Sequence, residues 1–256
     1  MTRLRILRGL LPVLLLALPA PGSRIGAGDL GGASFALPVS VPWEVAEGQL
    51  RVQLRAEGDP RAPGAVARQD LLGTRTVLVR TPEPGAAPID VTVEQAASWG
   101  QAPDALFATG LANLERKQPP LFRQTPPLKN GVRVHLLYGE HPFAAAYALS
   151  VKHYPTCMGN KGALVAVPNR HATLCHPIES SRAFHAYLAL VSIASDIQYE
   201  GDDPIVPHVY WFHDDVFEAQ PVVIENDRHI VPTQTEAFRK LIDSLPRDLD
   251  DRRGRR

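Results

Sequence analysis

From Gly162 to Pro177 the chain carries two apolar runs, Ala163–Val167 and Ala172–Cys175, on either side of Pro168-Asn169-Arg170. A short apolar run bounded by turn residues reads as a buried strand, so this stretch predicts strand, tight turn and returning strand, central in its sheet. Asn169 suits the turn because asparagine tolerates positive φ. Arg170 and His171 then stand at an accessible tip.

The rest of the chain supplies partners for such a hairpin. Ser34–Val41 and Gln49–Arg55 read as strands; in the second, Leu50, Val52 and Leu54 alternate with Gln49, Arg51, Gln53 and Arg55, the signature of one buried face. Thr74–Arg80 and Pro88–Val93 continue an antiparallel meander across Pro82-Glu83-Pro84-Gly85. A helix starts at Pro103, a favoured first-turn residue, with Leu106, Phe107, Gly110, Leu111 and Leu114 on one face. After a proline-rich connector from Gln118 to Lys129 come a strand at Val132–Tyr138 and a short alanine-rich helix over Pro142–Val151.

Ser180 or Ser181 caps a helix running to about Asp196, with Phe184, Tyr187, Leu188, Val191 and Ser195 along one side. Ile205–Phe212 and Phe217–Ile224 form two strands joined across His213-Asp214-Asp215, where acidic residues suit a hairpin turn. Thr233-Gln234-Thr235-Glu236 fits a capping box opening a last helix with Phe238, Leu241 and Ile242. The pattern predicts an α+β fold, a mainly antiparallel sheet packed by about three to four helices.

The first 23 residues read as a signal peptide. Arg3, Arg5 and Arg8 precede the apolar run Leu10–Leu18, and small residues place cleavage after Ala20 or Gly22. The run is about half of what crosses a bilayer, so no permanent membrane span is expected. The organisation is then a strand-rich part over 24–117 ending in a helix, an α+β part over 130–245 with the central hairpin, and a charged, disordered tail over 246–256. The protein is expected to be exported, periplasmic or secreted; a mis-called start would instead make it cytoplasmic. Its 27 basic residues balance 27 acidic ones, so it lacks the positive field that draws proteins to nucleic acid, and no nucleic-acid partner is expected.

Only two cysteines exist, Cys157 and Cys175. In an exported chain such a pair forms a disulfide. Zinc is the competing use of Cys157, His171, Cys175 and His176, with His153 nearby. Strand parity points Cys175 and His176 to opposite faces, and His171 lies about 13 Å from Cys175 at ~3.3 Å per residue. No metal site is expected, since zinc needs its ligands at about 2.0–2.3 Å. No cofactor motif, phosphate loop or G-x-S-x-G elbow is present.

Catalytic candidates are His171, His176, His208, His213 and Asp214, which would have to meet across neighbouring strands. Arg170 and Asn169 are candidates for binding, because a guanidinium at a hairpin tip can hold a carboxylate or phosphate.

Three pieces resemble the YtpQ-like family of uncharacterised bacterial proteins over roughly residues 89–225. They are Trp99 followed by the helix ending Ala112-Asn113-Leu114, the run Leu164–His171, and Val209-Tyr210-Trp211 with Gln220-Pro221-Val222-Val223. The family turn usually ends in aspartate, where this chain has His171. The resemblance implies no reaction. A non-catalytic domain binding a small ligand or a protein is the leading expectation; the alternatives are a hydrolase with a His/Asp site near the 162–177 hairpin, and a cytosolic protein of the same family.

Overall fold

The computed structural model describes residues 41–60, 64–128, 131–200, 202–225 and 229–247, all within one unit spanning Ser40–Arg256. The signal peptide, the strand read over Ser34–Val41 up to residue 40, and the tail from residue 248 lie outside the described residues.

Every strand pairing in the described residues is antiparallel, and the fold is α+β. After a short helix α1 (Trp43–Ala46) and one 3-10 turn, β1 (Leu50–Ala56), β2 (Ala67–Arg68), β3 (Thr74–Arg80) and β4 (Ile89–Asp90) make the first sheet. Its order is β1-β3-β2, with β4 also pairing β3. Two helices follow, α2 (Val93–Ser98) and α3 (Pro103–Lys117), the latter with Pro103 in its first turn as expected.

The alternation in β1 marks apolar and polar sides, but both are covered. Arg51, Gln53 and Arg55 are buried at 6%, 0% and 5% exposure. On the Val52 side lies α3, where a Cβ on Gly110 would come within 3.1 Å of the Arg51 carbonyl carbon, so the small residue lets helix and strand approach. On the other side the polar groups are satisfied rather than wet. Gln53 donates to the Pro142 carbonyl at 2.9 Å, Arg51 to Gln118 at 3.1 Å, and Arg55 grips Asp90 through both terminal nitrogens. Burial at this position thus rests on hydrogen bonding, which alternation cannot reveal.

The second sheet comprises β5 (Leu121–Gln124), β6 (His135–Tyr138), β7 (Ala163–Asn169), β8 (Ala172–Pro177), β9 (Val209–His213) and β10 (Val216–Gln220), in the order β10-β9-β7-β8-β6-β5. The expected hairpin is β7–β8, and β7 sits inside the sheet between β8 and β9. Its continuous apolar run follows from burial on both faces. Ala163, Val165 and Val167 join one core cluster with the first sheet, α3 and a 3-10 segment over Ala144–His153, while Leu164 and Ala166 join a second. The turn is Arg170–His171, one step later than expected, because Pro168 lies within β7 beside a register irregularity between Ala166 and Asn169.

The second core is closed by α4 (Arg182–Glu200) and α5 (Glu236–Ser244). Pro221, which has no N–H to donate, separates β10 from β11 (Val222–Glu225), so the expected Phe217–Ile224 strand is two strands. β11 pairs β12 (His229–Pro232) as a separate ribbon.

Two further expectations are corrected. The cap of α5 is Thr235, which accepts from the Phe238 amide at 3.2 Å; the capping box beginning at Thr233 is displaced because Gln220 holds the Thr235 amide at 2.9 Å. The buried stripe of α4 holds Tyr187, Val191 and Ser195 as expected, together with Ala183, Ala186, Leu190 and Ala194, whereas Phe184 and Leu188 are 37% and 39% exposed. The alanines give the close approach to β7, and the larger side chains flank it.

Candidate functional site

Cys157 and Cys175 are disulfide-bonded, with Cα atoms 5.5 Å apart, and both are fully buried. The bond ties the turn after the 3-10 segment to the middle of the second sheet. Neither sulfur is then a thiolate, and among the described residues no three His, Cys, Asp or Glu side chains group as metal ligands.

The tip of β7–β8 is engaged by its neighbours. Asn169 keeps negative φ, contrary to expectation; it is 5% exposed and its side-chain oxygen accepts from the His171 amide at 3.1 Å. Asn169 therefore shapes the turn through its side chain. Arg170 pairs with Asp203, and its carbonyl accepts from the Ala145 amide at 3.1 Å. The Arg170 side chain is 14% exposed, so the tip is less accessible than the sequence implies.

Beside this end lies His141, a residue the sequence pattern does not single out. Its Nδ1 accepts from the Phe143 amide at 3.3 Å, which leaves Nε2 as the protonated nitrogen of a neutral ring. Nε2–H donates to Tyr147 Oη at 2.9 Å, and the Tyr147 hydroxyl donates to the Gln118 carbonyl. Burial, then the charges of His171 and Arg51, lower the pKa of His141 and favour this neutral state. Burial raises the Tyr147 hydroxyl far above its ordinary value, so it stays a donor.

His176, on β8, is held at Nδ1 by the Arg133 carbonyl at 2.8 Å, and burial lowers its pKa. His208 precedes β9; its Nδ1 accepts from the Val222 amide at 3.3 Å, and burial lowers it too.

At the β9–β10 turn, His213 stacks on Trp211 with centroids 3.8 Å apart. Its Nδ1 is 3.2 Å from Asp214, and its Nε2 is 3.7 Å from Glu218. Asp214 and Asp215 both take positive φ, 47° and 60°, which fits the tight turn expected there. Glu218 also accepts from the Thr235 hydroxyl, joining the hairpin to the cap of α5. Glu218 was legible in principle. A two-residue turn at Asp214–Asp215 sets Glu218 opposite Trp211, two pairs from His213 and so on the same face of the hairpin.

The structure brings His213, Asp214 and Glu218 together, and it brings Asn169, Arg170 and His171 near His141. It does not bring the two groups together. Ala163 pairs with Phe212, whereas the Arg170–His171 turn follows Asn169 at the other end of β7. Six residues of extended chain separate the ends by about 20 Å.

No family model, curated protein or solved structure matches the chain.

Proposed function

We propose that the chain is an exported domain that binds a small ligand or protein and performs no catalysis. The observation that carries this reading is the dispersal of its chemistry: His171 and Arg170 stand at one end of β7, His213 and Asp214 at the other. The rings of His176 and His208 are meanwhile held by backbone groups. Acid–base catalysis needs its groups within hydrogen-bond reach of one substrate.

The hydrolase alternative has its best ground at His213, flanked by Asp214 and Glu218. The hydroxyl that Glu218 holds, Thr235, is itself the cap of α5, which removes it as a ready nucleophile.

Export belongs to the same reading. Three arginines precede the apolar run Leu10–Leu18, and a buried disulfide persists in oxidising compartments. No described helix is long and apolar enough to cross a membrane. The likeness to the YtpQ-like family is proposed as kinship only and assigns no reaction.

A panel of ester, amide, phosphoester and glycoside substrates tests the reading. Wild type, His171→Ala and His213→Ala should all show the same background rates. Hydrolysis by wild type that either substitution abolishes, at an unchanged melting temperature, would overturn it.

A further inference from the structure

The 3-10 turn over Glu47–Gln49, between α1 and β1, gathers three cations at its carbonyls and that of Leu50. Lys117, the last residue of α3, donates to the Gly48 carbonyl at 2.6 Å. Arg51 reaches the same carbonyl through Nη1 at 3.4 Å, and the Leu50 carbonyl at 2.6 Å. Arg116 donates through Nη2 to Asn113 Oδ1 at 2.7 Å, and the side-chain nitrogen of Asn113 donates in turn to the carbonyls of Glu47 and Leu50. The three charges are thus tied to one short stretch of backbone. None of them meets an acid. Among the described residues no carboxylate lies within ion-pair distance of Arg51, Arg116 or Lys117, and Glu115, next to Arg116, is taken by His153 at 2.8 Å.

Arg116 and Lys117 suit the last turn of α3, where the helix macrodipole presents about half a negative charge. That half charge does not offset three cations, and it gives no reason for Arg51, which comes from β1. Arg51 is 6% exposed, and an arginine so far from water is ordinarily paired with an acid. Burial and the Arg116 charge lower the pKa of Arg51, while burial, Arg51 and Arg116 lower that of Lys117. Each cation feels the others and no anion. The cluster is also open to a ligand. Arg116 and Lys117 are exposed. Arg51 Nη2 has no partner and is not among the sealed polar atoms, so the guanidinium keeps one edge open to solvent.

We propose that Arg51, Arg116 and Lys117 receive a phosphate dianion, free or carried on a small phosphomonoester. Arg51 is the fixed donor, held through Nε by Gln118 at 3.1 Å; Arg116 and Lys117 close on the anion from the solvent side. Two charges spread over tetrahedral oxygens match three cations with spare N–H groups, whereas a carboxylate would leave two cations unmatched. The proposal rests on the binding-domain reading and gives it a ligand class.

Isothermal titration of the full chain in chloride buffer of constant ionic strength tests it, with inorganic phosphate, methyl phosphate and acetate as probes. One-site binding of phosphate or methyl phosphate is expected, with acetate at least about tenfold weaker. Tighter binding of methyl phosphate marks a phosphomonoester as the natural source, and tighter binding of phosphate the free anion. Arg116→Gln and Lys117→Gln should each weaken binding about fivefold, and together about twentyfold or more. Arg51 stays unaltered in these variants, because its buried contacts to Gln118 and Leu50 hold β1 to the end of α3. Arg239→Gln with Lys240→Gln removes equal charge from exposed positions of α5 and should leave the affinity unchanged.

Absence of binding by both phosphates, acetate binding as tight as theirs, or binding that Arg116→Gln with Lys117→Gln leaves unchanged would overturn the site while the binding-domain reading stands. Equal weakening by the α5 pair would reduce the effect to net charge and overturn it as well. Release of methanol from methyl phosphate would instead sink the binding-domain reading itself.

Discussion

Gly162 enters β7 with φ of +89°, and a Cβ there would overlap the carbonyl oxygen of Phe212 on the neighbouring strand. Neither the conformation nor the space admits a side chain. Gly162→Ala should therefore lower unfolding free energy by about 3 kcal/mol, read from urea midpoints; a change within ~0.5 kcal/mol would contradict the packing of β7 on β9. The histidines make a second prediction at this scale. Burial lowers the pKa of His135, His141, His176 and His208 from the ordinary 6.5. The unfolded chain then binds more protons than the folded one as pH falls below about 6.5. Their stabilising contribution is complete above 6.5 and is lost as pH falls through the lowered folded values. The urea midpoint should thus decline between pH 7 and pH 5, and a midpoint that holds or rises would show these rings to be solvated. The residue types were legible in the sequence, but their partners were not. Arg133, Phe143 and Val222 engage the rings through backbone atoms, which every residue has and no spacing betrays.

Elements were most legible where local chemistry decides them. Pro103 opens α3, and Asp214-Asp215 turns β9 into β10. Sequence pattern and structure part where tertiary contacts intervene. Gln220 moves the helix cap from Thr233 to Thr235, and tight packing of α4 favours alanine over Phe184 and Leu188 in the core. The central pair β7–β8 is further secured by the disulfide, whose cysteines are 18 positions apart. Replacing both, Cys157→Ser with Cys175→Ser, should cost about 3 kcal/mol by the entropy of closing such a loop. Equal urea midpoints for variant and wild type would show the bond to be dispensable to the fold.

At the scale of the whole molecule, two cores share one sheet. The first joins both sheets through β1, β3, β7 and the 3-10 segment; the second lies beneath α4 and α5. The α+β class and the antiparallel sheet could be read from strand and helix periodicity, because each element carries its own pattern. Which side chains meet across the sheet could not, since it depends on the strand order β10-β9-β7-β8-β6-β5, in which β9 lies beside β7 although α4 intervenes in the chain. That order disperses the histidines and places the disulfide inside the first core. The direct test is the intact mass of protein recovered from fractionated cells and treated with iodoacetamide without reductant. The account predicts an extracytoplasmic chain cleaved after Ala20 or Gly22 that takes up no label. A cytoplasmic chain retaining Met1 and labelled at both Cys157 and Cys175 would contradict it.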